Sequence, residues 1–295
     1  MTTAIISVTG VTKNYRTNKV LKGLDWQVNS GEIVALLGQN GAGKSTLLEC
    51  IMNIRQFNSG ELRLWGYSWD DLPQEKREKI AYVAEEANGF EWMGAYDYVD
   101  YLGGFFRDYD QVYAHKLLKS WGILSNSKIS ELSKGQKQIV HIIQAFSCQA
   151  ELLILDEPVA HLDPAMRRKF ISELIDLAYK NNMTVIFSSH IVSDVERIAS
   201  HVAVLKNGNI TLEYEIEQLK SNIAHVKISA EGLLQQSEYY HELSSWQSYA
   251  QGAIAQVVKP LSQGLDKFIK DSPQQIEYTP MSLEDWYLEV YNAAD

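Results

Sequence analysis

The stretch Gly38-Gln39-Asn40-Gly41-Ala42-Gly43-Lys44-Ser45-Thr46 places three glycines ahead of a lysine and two hydroxyl residues. Glycines at this spacing let backbone N–H groups turn inward around phosphates. A lysine directly behind them brings a positive charge to the β- and γ-phosphates, and the Ser45 hydroxyl suits a Mg2+ ligand. The apolar run Ile33–Leu37 precedes the loop and the helical-looking Leu47–Ile54 follows it, so a helix N-terminus adds its partial positive charge at the same point. A glycine-rich turn with a surface lysine is the competing reading, and the strand-loop-helix context disfavours it.

A second group lies at Leu152-Leu153-Ile154-Leu155-Asp156-Glu157, four apolar residues followed by two carboxylates. In open α/β sheets ligands bind at the carboxyl ends of strands. Asp156 there would hold the shell of a Mg2+ ion, through water, and Glu157 would polarise an attacking water as general base. Alone, an apolar run ending in Asp-Glu also describes a strand with an acidic cap; the phosphate loop upstream tips the balance.

These residues need a scaffold, and short apolar runs alternating with helical patterns predict a sheet covered by helices on both faces. Ile33–Leu37, Leu152–Leu155 and Thr184–Phe187 read as buried strands. After Pro164, Phe170, Ile171, Leu174, Ile175 and Ala178 recur at helical spacing, with Asp163 as N-cap and the proline in the first turn. Asn207-Gly208, between Val202–Leu205 and Ile210–Leu212, predicts a hairpin. The main domain is expected to close near residue 215. Within it, about 88–140 forms an inserted helical subdomain, rich in aromatics such as Trp92, Tyr98, Tyr101 and Phe105. Such aromatics are more often helical core than binding surface, although interface anchors draw on the same residues. Residues 216–295 predict a small α+β appendix, with strands at His225–Ile228 and Ile254–Val258 and a capping-box-like helix start at Ser282-Leu283-Glu284-Asp285.

Composition narrows the class further. The chain has 295 residues, 45% of them apolar and 22% charged, and carries a formal charge of −10 without a long Lys/Arg cluster. Nucleic-acid binding draws on clustered positive charge, so no nucleic-acid partner is expected. Cys50 and Cys148, too few for a disulfide framework or a zinc cluster, read as buried small apolar residues in a reducing compartment. Met1–Val11 shows no basic leader followed by a sustained apolar stretch, and no segment approaches the roughly 20 apolar residues of a membrane span. If the protein works at a membrane, another chain supplies the span.

Leu132-Ser133-Lys134-Gly135-Gln136 stands 20 residues before Leu152, and with it the chain resembles the ATP-binding-cassette (ABC) ATPase family. The resemblance implies an α/β fold: a P-loop ABC ATPase core with an inserted helical subdomain and a small α+β C-terminal extension. It also implies ATP and Mg2+ as ligands and a head-to-tail dimer, in which Ser133, Gly135 and Gln136 belong to the signature motif that meets the partner's nucleotide. By that resemblance Ser133 and Gly135 would touch its γ-phosphate. Lys134 departs from the family pattern by replacing a glycine. Tyr15, 29 residues before Lys44, stands where the family stacks an aromatic on adenine; a core tyrosine is the alternative. His161-Leu162-Asp163 resembles the loop that crosses the dimer interface, while Asp163 is equally explicable as the helix cap. His190 resembles the switch histidine that contacts the γ-phosphate. Glu85 takes the place of a glutamine that senses the γ-phosphate through Mg2+; a carboxylate also ligates Mg2+, and adds negative charge beside the triphosphate.

The resemblance therefore implies an ATP-hydrolysing subunit, homodimeric or paired with a related ATPase. By the same resemblance it would close on ATP and power a separate membrane-spanning permease subunit from the cytoplasmic face of the cell membrane. The tail Met281-Ser282-Leu283-Glu284-Asp285 resembles exporter subunits of the drug- and antibiotic-resistance type. A soluble ABC ATPase and a weakly hydrolysing ATP-dependent sensor are the alternatives. Residues 216–295 are expected to add intersubunit contacts.

Overall fold

A computed structural model describes residues 4–86, 89–229, 242–249, 252–257, 262–271 and 276–292. The chain forms two compact units, Met1–Glu213 and Tyr214–Asp295.

In the first unit, β1 (Ala4–Tyr15), β2 (Asn18–Asn29) and β4 (Ser59–Leu64) form an antiparallel sheet in the order β2-β1-β4. Burial alternates along the second half of β2, as expected of a sheet with one face inward, while bulges interrupt the pattern in β1. A second sheet holds β3 (Ile33–Leu37), β5 (Ile80–Val83), β6 (Leu152–Leu155), β7 (Thr184–Ser189), β8 (His201–Lys206) and β9 (Asn209–Glu215) in the order β5-β6-β7-β3-β8-β9. The β5/β6, β6/β7, β7/β3 and β3/β8 pairs are parallel. Every residue of β3, β6 and β7 is buried; strands covered on both faces read as unbroken apolar runs, which is why their positions were legible. Because β6, β7 and β3 are parallel neighbours, their carboxyl ends share one edge of the sheet. Residues 38–46, 156–157 and 190 meet there despite their distance in sequence.

Helix α1 (Lys44–Ile51) leaves β3 through the glycine loop. It starts three residues earlier and ends three earlier than the predicted Leu47–Ile54, because Asn53 adopts φ 54° and turns the chain away. The short α2 (Gln74–Arg77) precedes β5. Between β5 and β6 come α3 (Ala95–Gly103), α4 (Gln111–Ser120) and α5 (Lys134–Phe146). Then α6 (Pro164–Asn181) and α7 (Val192–Ile198) flank β7. Asp163 Oδ1 accepts from Ala165 N (2.8 Å) and Met166 N (2.9 Å), fixing the start of α6. Phe170 of α6 stacks on Phe146 of α5 with centroids 6.1 Å apart. Asn207 and Gly208 both have positive φ in the β8–β9 turn, as a two-residue hairpin of this type requires.

The aromatics of the helical subdomain divide where the sequence suggests core. Tyr98 is buried, and its hydroxyl meets His141 Nδ1 at 2.8 Å. Trp92 and Phe105 remain 72% and 66% exposed, joined through Phe90 and Tyr101 in a chain of ring contacts. For these the core reading fails: both lie in turns just outside α3 (Ala95–Gly103), beyond the helical face that buries Tyr98 and Val99. Both cysteines are buried, and burial pushes the Cys50 thiol up to about 11 and that of Cys148 to about 12.

The second unit contains α8 (Ile216–Asn222), β10 (Ala224–Ser229), β11 (Ser244–Tyr249), β12 (Gly252–Val257), α9 (Gln263–Asp271), β13 (Ile276–Pro280) and α10 (Leu283–Asn292). Its antiparallel sheet has the order β11-β12-β10-β13. Val226, Ile228, Ala255, Val257, Leu265 and Ile276 share one core, with alternate residues such as Lys227 and Ile254 facing out. The predicted strand at 254–258 starts two residues earlier, and Val258 lies outside the described residues. Ser282 Oγ accepts from Asp285 N (3.0 Å) at the start of α10, and Trp286 in that helix is fully buried.

Candidate active site

The loop from Gly38 to Lys44 lies between the buried strand β3 and the first turn of α1. Gly43, the residue capping α1, has φ 106°, and a Cβ there would stand 2.9 Å from Val20 Cγ1; only glycine meets both demands. The loop walls a cavity of about 420 Å3 whose lining includes Gln39, Asn40, Gly41, Gly43, Lys44, Ser45 and Thr46. Asn18, Val20, Glu85, Glu157 and His190 complete it.

Lys44 is 6% exposed; its Nζ donates to Gly38 O (2.8 Å) and stands 3.3 Å from Glu157 Oε1. The other Glu157 oxygen, Oε2, lies 2.8 Å from His190 Nδ1. A lysine, a carboxylate and a histidine from three different loops therefore form one chain of contacts. Glu157 Oε1 is buried and accepts no hydrogen bond among the described residues; the Lys44 ammonium is the positive charge beside that oxygen. Glu157 also sits at φ 44°, a conformation that costs a non-glycine residue on the order of 1 kcal/mol or more and persists only where neighbours hold it.

Ser188 supplies that hold. Its hydroxyl donates to Asp156 Oδ1 (2.6 Å) and accepts from Glu157 N (2.8 Å), while Asp156 N donates to Val83 O (2.8 Å). The residue ties the Asp156 carboxylate and the Glu157 backbone to β7, and sequence reading missed it. A single serine at a strand end carries no spacing pattern, and the predicted strand stopped at Phe187. Ser188→Ala is expected to leave the Glu157 N–H without its partner, cost about 1–3 kcal/mol of stability, and lower ATP turnover about tenfold. Parallel thermal melts and phosphate-release assays check both.

Two carboxyls of the site, those of Asp156 and Glu85, are held above the usual range, in both cases first by burial. Burial holds the Asp156 carboxyl above the usual carboxylate range, partly offset by hydrogen bonds from Ser188 and Ser45. Burial, then the charges of Asp156, Glu157 and Glu86, raise Glu85. Among the described residues no group of three or more His, Cys, Asp or Glu side chains could hold a metal alone. A hydroxyl and a crowded carboxylate, Ser45 and Asp156, fit Mg2+ of the kind that takes one or two protein oxygens and completes its shell from phosphates and water.

Other expected site residues stand apart from this cavity. Tyr15 closes β1 opposite Asn18. Ser133 and Gln136 form a capping box on α5, with Ser133 Oγ accepting from Gln136 N (3.2 Å) and Gln136 Oε1 from Ser133 N (3.0 Å). Lys134 lines a second cavity of about 260 Å3 with Glu85, Glu86 and His161. Asp163 caps α6, as above. A Cβ on Gly135 would stand 2.7 Å from His161 O, so the 133–136 and 161–163 segments pack backbone to backbone. Gly135→Ala must push them apart; it is expected to reduce turnover at least tenfold while leaving equilibrium ATP binding within about threefold, read by fluorescence titration beside the turnover assay.

A phosphate-cradling loop, a buried lysine and a strand-end carboxylate on a mainly parallel sheet define a P-loop nucleoside triphosphatase. Comparison with known proteins then identifies the family. The family model described as "ABC transporter" matches residues 21–160. The chain is 32% identical over 246 residues to the uncharacterized ABC transporter ATP-binding protein YxlF of Bacillus subtilis, covering 80% of this chain and 81% of that one. It is 29% identical to the bacitracin transport ATP-binding protein BcrA of Enterococcus faecalis (73% and 70% covered). It is 28% identical to the phosphonates import ATP-binding protein PhnC of Fusobacterium nucleatum (70% and 90%). The dimeric structure of MJ0796, a bacterial ABC transporter cassette, superposes with a TM-score of 0.65 at 26% identity over 72% of this chain and 98% of that one. The chain belongs to the ABC transporter ATP-binding family and is an ATPase of that family. No helix among the described residues is long and apolar enough to cross a membrane.

Proposed function

We propose that this ATPase binds MgATP along residues 38–46, closes as a head-to-tail dimer, and drives a separate membrane-spanning permease, outward, from the cytoplasmic face of the membrane. The contact chain Lys44–Glu157–His190 carries the hydrolytic part of this reading. Glu157 is the general base and takes a proton from the attacking water. His190 orients Glu157 through Oε2. Lys44 exchanges its contacts with Glu157 and Gly38 O for the β- and γ-phosphates, which frees the carboxylate. Ser45 and Asp156, with Glu85 nearby, would hold Mg2+, whose chemistry is to neutralise charge on the phosphates. Tyr15 stacks on the base. Ser133, Gly135, Gln136 and Asp163 act across the dimer, which accounts for their distance from the phosphate loop of their own chain.

In this reading residues 1–215 are the ATPase domain, about 88–140 its helical subdomain, and 216–295 an accessory domain that adds intersubunit contacts. The exposed Trp92, Tyr101 and Phe105 support a protein partner on the helical subdomain. The outward direction rests on the tail Met281–Asp285; the import relative makes inward transport the alternative.

The test is affinity capture of tagged Glu157→Gln with ATP, from detergent-solubilised membranes and from the soluble fraction. A multi-span protein recovered in stoichiometric amount is the expected result, and it identifies the chain that sets the substrate. Recovery from the soluble fraction alone, without such a partner, overturns the membrane reading in favour of a soluble ABC ATPase.

A further inference from the structure

Two cations lie against the ring of Tyr15. Lys13 Nζ is 5.0 Å and the Arg55 guanidinium carbon 5.4 Å from its centroid, and 37% of the residue remains exposed. Neither cation hangs free. Lys13 Nζ donates to Gln56 O (2.6 Å). Arg55 grips the Glu49 carboxylate with two nitrogens, Nε on Oε2 and Nη2 on Oε1, the latter at 3.1 Å. Glu49 lies in α1, the helix whose first turn carries Lys44 and Ser45. The turn at Asn53 that ends α1 brings Arg55 back toward it, and Arg55 N donates to Glu49 O (3.2 Å).

A planar guanidinium held by two hydrogen bonds is a rigid element, unlike a single flexible ammonium. It also attracts an aromatic ring. From this geometry we infer that Arg55 is a positioning residue for the nucleotide base: anchored on Glu49, it fixes the Tyr15 ring relative to the helix that carries the phosphate loop. The inference rests on the proposed stacking of the base on Tyr15. An exposed tyrosine otherwise loses side-chain freedom when a base settles on it, and holding the ring beforehand removes part of that cost. The effect reaches only ligands that carry a base.

The test compares binding of ATP and of inorganic tripolyphosphate, each with Mg2+, by calorimetry on the full chain carrying Glu157→Gln to suppress hydrolysis. Arg55→Ala is expected to weaken ATP about three- to tenfold and tripolyphosphate less than about twofold, which also shows that the phosphate loop remains folded. Arg55→Lys keeps the charge without the two-pronged grip and is expected to fall between. Tyr15→Ala is expected to weaken ATP at least as much as Arg55→Ala, and adding Arg55→Ala to it should cost little more, because the two residues act as one unit. Unchanged or tighter ATP binding by Arg55→Ala beside a clear loss in Tyr15→Ala overturns the role of Arg55 and leaves base stacking intact. Equal weakening of both ligands in Arg55→Ala overturns it as well. No loss in Tyr15→Ala overturns the stacking reading, and the inference with it.

Discussion

Replacing Glu157 by Gln is expected to lower steady-state ATP turnover by about 10²–10⁴-fold, the usual worth of a positioned general base. The substitution keeps the shape of the side chain and its hydrogen bond with His190, while removing the charge that accepts the proton. Equilibrium binding should move the other way. In the wild type Lys44 Nζ lies 3.3 Å from Glu157 Oε1, so binding phosphate means drawing the ammonium from an ionised neighbour. Without that charge the lysine is easier to recruit, and ATP affinity is expected to rise. A variant that loses turnover together with ATP binding would show instead that Glu157 serves mainly to build the cavity.

Lys44→Met is expected to have the largest effect on stability at this site. Lys44 and Glu157 are both nearly inaccessible, with side-chain exposures of 6% and 7%. Removing the lysine leaves a buried carboxylate without its counter-charge. Breaking a buried pair this way costs about 3–5 kcal/mol, and the lower end applies here because a cavity of solvent dimensions adjoins the pair. Adding Glu157→Gln removes the stranded charge, so the double variant is expected to recover about 1–2 kcal/mol of the loss. Urea unfolding without added nucleotide reads both steps. Neither variant should hydrolyse ATP, which separates the contribution to folding from the contribution to catalysis. Equal losses in the single and double variants would mean that the two groups do not interact in the folded protein.

These two residues mark how far the sequence could be read. The glycine loop was legible because a chemical demand, backbone amides facing phosphate, confines several residue types to fixed spacing. β3, β6 and β7 were legible because strands buried on both faces cannot alternate. The contact of Lys44 with Glu157 was not, since it depends on β7 lying between β3 and β6, an order that no local pattern encodes. Ser188 was hidden for the same reason, as its two hydrogen bonds run between neighbouring strands. The aromatic segment was misread from the other side. Period alone does not tell Tyr98, which faces α5 and His141, from Trp92 and Phe105, which face outward. Asp163 shows a residue type serving two readings: its cap on α6 is visible in the hydrogen bonds, whereas a role across a dimer needs a second chain.

The most direct test is phosphate release from MgATP by the wild-type chain as protein concentration is raised, with Glu157→Gln as the baseline. Specific activity well above that baseline, climbing with concentration to a plateau, is the expected result, because each site takes residues from two chains. Release that stays at the Glu157→Gln baseline at every concentration would contradict hydrolysis at this site, and a specific activity independent of concentration down to the monomer would contradict the shared site.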